Sequence, residues 1–207
     1  MSVISPGGTL RLLFLVICLI FVSPAVSGQA GGNRSDIRRF IPGTIPVKSQ
    51  NWEISRDPVT NYVYFANSAG LVEYNGITAR TYPVPFGQGV RSVYINSDGV
   101  IFTGSFEDFG FWRRDRPGEL TYTSLAVGSD VVGNDEIWNI SEINHTLYFQ
   151  SFTSVYVYDY NGIKRIAAPS SMLFFFRVGD RFIAQSIDEG LYWFDGEAFS
   201  FIEGSGI

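Results

Sequence analysis

The sequence predicts an all-β chain, a β-propeller made of four-stranded antiparallel blades, on three observations. The composition is rich in aromatic residues (16%) and in glycine (22 residues) but holds only 17% charged residues, which suits pleated, half-buried strands better than helices or disorder. Beyond the N-terminal segment no apolar spacing of helical period is sustained, whereas short stretches alternate apolar and polar residues. Val90–Trp112 (VRSVYINSDGVIFTGSFEDFGFW) forms a strand–turn–strand–loop–strand unit whose pattern recurs along the chain. Repeats of about 35–45 residues with several short strands and a Gly-marked turn read as blades, each of which buries its faces only by stacking on its neighbours.

Residues 1–28 read as a secretory signal peptide: Arg11 gives a positive start, Leu12–Val22 is an unbroken apolar run, and Pro24–Gly28 offers small residues for cleavage. The run is shorter than the ~20 residues of a spanning helix. Removing Arg11 takes the net charge from −5 to −6, and removing Cys18 takes the only cysteine. The exported chain therefore lacks disulfides and must be held by packing. An acidic surface forfeits the phosphate attraction on which nucleic-acid binding rests, so no nucleic-acid partner is expected. Residues 29–39 are a Gly-rich polar linker, and residues 40–207 are the propeller, with blades near 50–83, 90–125, 137–167 and 174–202.

Pro42 and Pro46 keep Phe40–Ser49 extended, delivering the chain to strands at Asn51–Ser55, Tyr62–Ala66, Leu71–Tyr74 and Ala79–Tyr82, with Asn75-Gly76 as the last tight turn. The second blade places strands at Val90–Ile95, Val100–Thr103, Gly110–Trp112 and Leu120–Leu125; Arg113, Arg114 and Arg116 read as a solvated turn in its outer loop. The third runs Ile137–Ser141, Thr146–Gln150, Val155–Asp159 and Ile163–Ala167, with Asn161-Gly162 in the place of Asn75-Gly76. The fourth runs Phe174–Val178, Arg181–Gln185, Leu191–Phe194 and Phe199–Ile202, with Asp195-Gly196 in that place. Glu203–Ile207 does not read as a closing strand, so the chain is expected to be part of a larger propeller whose last blade has an uncovered face, open to self-association.

Aligning the inner strands groups Trp52, Arg91, Trp138 and Phe176; then Glu53, Ser92, Asn139 and Arg177; then Ile54, Val93, Ile140 and Val178. The first and third groups share a face by alternation, so the bland reading of Trp52 and Trp138 is inter-blade core. Arg91 breaks that apolar set. The ligand-binding candidates are accordingly Arg91, Trp52, Trp138 and Arg177, two rings to stack on a sugar and two guanidinium groups to meet an acidic group.

Chemistry beyond binding has little footing. His145, the only histidine, falls in a turn without an orienting partner. Glu107/Asp108, Asp135/Glu136 and Asp188/Glu189 are loop pairs, where acidic side chains favour solubility, and no metal-ligand or nucleophile pattern is present. No catalytic residue, metal or cofactor is expected, and the chain reads as a non-enzyme.

Asn51-Trp52-Glu53-Ile54, Tyr64-Phe65-Ala66-Asn67, Gly70–Gly76, Val90-Arg91-Ser92-Val93 and Gly104–Phe111, extended by the Trp138, Tyr148–Phe152 and Gly190-Leu191 strands, resemble the N-terminal sensor propeller of Bacteroidetes-type two-component regulator propeller proteins, those with a triple-tyrosine domain. The resemblance implies a periplasmic or extracellular module that binds a small molecule or oligosaccharide. It would signal through a membrane helix to a histidine kinase or helix-turn-helix output, which lie beyond this segment, so the membrane would enter only through downstream parts. A polysaccharide hydrolase or lyase on a propeller, and a surface protein-interaction module, are the alternative readings.

Overall fold

The computed structural model describes residues 47–206 except 117, 129, 131 and 132; the signal peptide and linker assigned to residues 1–39 lie outside them. Sixteen strands form four separate four-stranded antiparallel sheets, and these are the blades of a β-propeller. Blade 1 holds β1 (Asn51–Arg56), β2 (Val63–Asn67), β3 (Gly70–Tyr74) and β4 (Ala79–Tyr82). Blade 2 holds β5 (Val90–Ile95), β6 (Ile101–Ser105), β7 (Phe109–Arg116) and β8 (Glu119–Ser124). Blade 3 holds β9 (Asn139–Ile143), β10 (Thr146–Gln150), β11 (Ser154–Tyr158) and β12 (Ile163–Ala167). Blade 4 holds β13 (Met172–Val178), β14 (Arg181–Ser186), β15 (Gly190–Phe194) and β16 (Phe199–Phe201). Every sheet follows chain order, so each blade is a meander.

The strand-to-strand turns are made by side chains that imitate the backbone. Asn75, Asp159 and Asp195 each stand directly after the third strand of a blade, and each accepts two or more backbone N–H bonds from the residues that follow, as Asp195 Oδ1 does at 2.9 Å from both Glu197 and Ala198. The next residue takes the left-handed conformation: Gly76 (φ 93°), Tyr160 (φ 68°) and Gly196 (φ 103°). Asn161-Gly162 is thus not the counterpart of Asn75-Gly76. The turn begins two residues earlier, and blade 3 places a tyrosine where the others place glycine.

Three apolar seams join consecutive blades. Tyr64, Leu71 and Tyr82 of blade 1 pack on Val93, Ile101 and Trp112 of blade 2. Phe102 and Phe109 of blade 2 pack on Leu147, Phe149 and Tyr156 of blade 3. Tyr148 and Val155 of blade 3 pack on Phe175, Phe182 and Phe194 of blade 4. Each seam therefore joins the trailing face of one blade to the leading face of the next. At the start of each seam an inner-strand side chain also bonds forward to the backbone of the next blade: Glu53 Oε2 accepts from Val93 N–H (2.8 Å), Ser92 Oγ donates to Ile137 O (3.0 Å), and Asn139 Nδ2 donates to Phe175 O (3.1 Å).

Irregularities in three of the four inner strands change the alignment read from the sequence. Register shifts fall between Asn51 and Glu53 in β1, Val90 and Ser92 in β5, and Met172 and Phe174 in β13, leaving Trp52, Arg91 and Leu173 as the extra residues. Glu53, Ser92 and Phe174 pair with Ala66, Gly104 and Gln185, and Asn139 pairs with Gln150. Phe174 therefore occupies the seam-crossing position of blade 4, and Leu173 is the counterpart of Trp52 and Arg91. Phe176 and Arg177 lie three residues further along. An inserted residue carries no period-two signature, so alternation alone slides past it.

The basic cluster is also placed differently. β7 extends through Arg113, Arg114 and Arg116 instead of ending at Trp112. Arg114 ion-pairs with Glu73 of blade 1, whose carboxylate also accepts from Tyr64 Oη at 2.8 Å. Burial, followed by the neighbouring Glu73, holds the Tyr64 hydroxyl well above the usual phenol range. Arg114 is a clamp between blades 1 and 2, not a solvated turn residue.

Candidate functional site

The extra residues of β1 and β5 and the residue just before β9 converge where the inner strands begin. Trp52, Arg91 and Trp138 come from three different blades, and the guanidinium carbon of Arg91 stands 4.7 Å over the Trp52 ring and 5.7 Å over that of Trp138. The two indoles meet edge to face, 5.5 Å between centroids and 82° between planes. Phe152 lies 5.7 Å from Trp138 on its other flank, and Arg91 Nη2 pairs with Glu136 Oε1 at 3.1 Å. Trp52 Nε1 donates to Ser68 Oγ at 3.4 Å.

Neither tryptophan joins any of the three apolar seams, and Trp52 is 42% exposed. The core reading of these two residues is thereby overturned. Trp52 is a bulged residue, which leaves the alternation that would have turned it into the seam, and Trp138 stands just ahead of β9, before its regular pairing begins.

The polar groups around this mouth are incompletely satisfied. Four buried side-chain atoms lack a hydrogen-bond partner among the described residues: Gln88 Oε1, Arg91 Nε, Ser105 Oγ and Trp138 Nε1. All four lie in this neighbourhood. Gln88 and Arg91 flank the entry to β5, Ser105 pairs with Val90, and Trp138 opens blade 3. Buried polar groups are almost always paired, by protein or by water, so a cluster of unpaired ones beside exposed aromatic rings makes this mouth the candidate site. A cleft of about 320 Å³ adjoins it, walled by Trp138, Phe152, Leu173, Phe174 and Phe176 with Asn139 and Gln150 at its polar edge.

Arg177 does not join the cluster. It sits near the far end of β13, where Nε donates to Gly179 O (3.0 Å) and Nη1 to Glu142 O (2.9 Å). Its donors thus fasten the opposite end of the blade 3–blade 4 seam. Glu136 and Phe152 were not singled out from sequence. Phe152 follows the recurrent Tyr148–Ser151 segment directly, and that adjacency was the available signal; Glu136 carried none beyond its membership of an acidic pair.

The acidic pairs diverge. Asp135 is buried and accepts from Ser151 Oγ and Thr153 Oγ1 (2.8 Å), whereas Glu136 faces the mouth and Arg91. Asp108 accepts from Tyr122 Oη (3.0 Å) and Ser124 Oγ (2.6 Å), and Glu107 from Asn134 N–H (2.6 Å). His145 occupies the exposed turn between β9 and β10, at the other end of the inner strand from Trp138, and contrary to the expectation of no partner its Nδ1 stands 3.6 Å from Glu142 Oε1. No group of three or more His, Cys, Asp or Glu able to hold a metal occurs among the described residues, and no helix there is long and apolar enough to cross a membrane. Glu53, in the blade 1–blade 2 seam beside the mouth, has its carboxyl pushed up to about 6 by burial, partly offset by the N–H of Val93.

No protein-family model matches the sequence, and no curated protein sequence does. Solved structures match the fold. The extracellular domain of one hybrid two-component system protein of B. thetaiotaomicron superposes with a TM-score of 0.58 at 13% identity, over 82% of this chain and 22% of that one. The corresponding domain of a second gives 0.60 at 15% identity, over 81% of this chain and 24% of that one. Virginiamycin B lyase from Staphylococcus aureus gives 0.58 at 15% identity, over 76% and 58%. The chain thus spans less than a quarter of the two extracellular domains and somewhat more than half of the lyase.

Proposed function

We propose that this chain is an extracytoplasmic, non-enzymatic ligand-sensing propeller module of a bacterial transmembrane signal-transduction or transcription regulator. It is exported through residues 1–28 and reads its ligand at the mouth formed by Trp52, Arg91 and Trp138. The observation that carries this reading is the set of unpaired buried polar atoms gathered around the Arg91–Trp138 contact. The likeness to extracellular domains of two-component systems supports the compartment and the sensing role. The ligand is a small molecule or oligosaccharide with a flat face for the indoles and an acceptor for the free Nε–H and indole N–H groups.

A propeller lyase is the second reading, favoured by the fold likeness to virginiamycin B lyase. It is weakened by the mouth itself, where Glu136 is tied to Arg91 and the histidine stands at the far end of the blade.

A thermal-shift screen of neutral and acidic oligosaccharides tests the sensing reading. A ligand present at a hundredfold excess over Kd stabilises the folded chain by about 2.7 kcal/mol. Arg91→Ala removes that stabilisation and Arg177→Ala keeps it. A folded chain that no member of the screen stabilises, or a ligand whose effect survives Arg91→Ala unchanged, overturns the assignment; turnover of any glycan transfers the case to the lyase reading.

A further inference from the structure

Two of the seams differ at one corresponding place. Glu53 and Asn139 pair with Ala66 and Gln150, so Tyr64 of blade 1 and Tyr148 of blade 3, two residues earlier, are counterparts. Trp112 and Phe194 are counterparts as well, since they pair with Ile101 and Phe182, each three residues before the partner of Ser92 or Phe174. Arg114 therefore corresponds to Gly196. Between blades 1 and 2 the Arg114 guanidinium fills the space beside Tyr64, pairing with Glu73 and donating to Tyr64 Oη at 3.4 Å. Between blades 3 and 4 the corresponding residue has no side chain, and a Cβ at Gly196 would stand 3.0 Å from Tyr148 Oη. Val157, the cross-strand partner of Tyr148, takes the place of Glu73, the partner of Tyr64. A cavity of about 640 Å³ opens there, lined by Tyr148, Asp159 and Lys164 of blade 3 and by Asp195, Gly196 and Glu197 of blade 4. It lies at the end of the seam opposite the mouth, where β10 begins and β15 ends.

We propose that this cavity binds a guanidinium group carried by an external ligand, in the place that Arg114 fills between blades 1 and 2. Three carboxylates face one ammonium group in the lining. Asp159 and Asp195 each use Oδ1 for their turn, which leaves the other oxygen for a ligand. The backbone N–H bonds they accept hold both carboxyls below the usual range, so both are charged at neutral pH. The turn does not need that charge, because Asn75 makes it in blade 1. Tyr148 marks the site independently of the acidic groups. It is 8% exposed, lines the cavity, and its hydroxyl has no hydrogen-bond partner among the described residues. The hydroxyl of its counterpart Tyr64 has both a carboxylate acceptor and a guanidinium donor. The three carboxylates do not form a group able to hold a metal ion, whereas the five donors of a planar guanidinium reach several acceptors at once.

Calorimetric titration of agmatine into the purified full chain at low salt measures the binding. Saturation of a single site is expected. Putrescine, which carries an ammonium in place of the guanidinium, should bind about tenfold more weakly, because it lacks the planar fork of donors. Asp159→Asn and Asp195→Asn keep the turn and should each weaken agmatine by about fivefold, the upper end for a partly solvated charge pair. Tyr148→Phe should weaken it by about tenfold, as loss of a hydrogen bond to a charged group does, with the far-UV spectrum unchanged. Asp188→Asn makes the same change of net charge in the β14–β15 turn and should leave the affinity as it was. The tripeptide Gly-Arg-Gly binding more tightly than agmatine would place the guanidinium on a protein side chain, and the reverse order on a small molecule. A folded chain that agmatine does not saturate, or equal affinity for putrescine, would overturn the proposal. So would an affinity indifferent to Asp195→Asn and Tyr148→Phe, or one lowered as much by Asp188→Asn.

Discussion

Glu53 shows how one side chain can hold a seam and tax it together. Its carboxylate is the acceptor that joins β1 to the Val93 N–H of β5, yet burial pushes its carboxyl up to about 6 from an ordinary value of 4.5. A group whose folded pKa is raised favours the fold in its protonated form. That contribution is complete below about 4.5 and is lost as pH rises through about 6. The loss amounts to roughly 1–2 kcal/mol. Urea titrations at a series of pH values should therefore show stability falling across this window, and Glu53→Gln should remove the dependence while retaining an acceptor for Val93. An unchanged pH profile in the variant would show that other groups set it. Arg91 is the complementary case, a charge kept near two rings and one carboxylate with a donor to spare.

At the scale of the element, the inner strands are governed by how closely neighbouring blades approach. Gly104 of β6 has no room for a side chain: an added Cβ would stand 2.4 Å from Ser92 Oγ and 2.5 Å from Ile137 Cγ2. Ser92 and Ile137 are themselves the two ends of the seam-crossing bond between blades 2 and 3. Gly104→Ala should then push these elements apart and cost about 1–3 kcal/mol, the usual range for overpacking, measured as a lowered denaturation midpoint. A variant as stable as the parent would mean that the seam yields more easily than its geometry implies. The strands were legible from alternation and Gly-marked turns, including the hairpin at Asn144-His145. The starts of β9 and β13 and the extension of β7 were not, since Ile137, Met172 and Arg114 are assigned by partners on other strands, not by their own neighbours in sequence.

For the molecule as a whole, stability resides in the seams, because a single blade leaves two apolar faces in water. Phe149 is fully buried and lies 4.6 Å from Phe109 and 6.3 Å from Phe102 across the blade 2–blade 3 seam. Phe149→Ala should cost about 3–5 kcal/mol, as large-to-small changes of aromatic core residues do. Tryptophan fluorescence and far-UV signals should still report a single coincident transition. Separated transitions would show that the blades unfold as independent units. The mouth belongs to this scale too, since Trp52, Arg91 and Trp138 meet only because successive blades fan about a common centre.

The sequence by itself determined an all-β chain of four-stranded blades, the identity of most strands, and the candidacy of Arg91, Trp52 and Trp138, because period-two alternation and turn chemistry are local properties. Tertiary contacts alone set Arg91 against both indoles with Glu136 as its counter-ion, put Arg177 at the opposite end, and give Phe174 the seam-crossing place in blade 4. These outcomes depend on inserted strand residues and on the approach of blades some 40 residues apart, as Glu53 and Val93 are. Neither leaves a periodic trace along the chain.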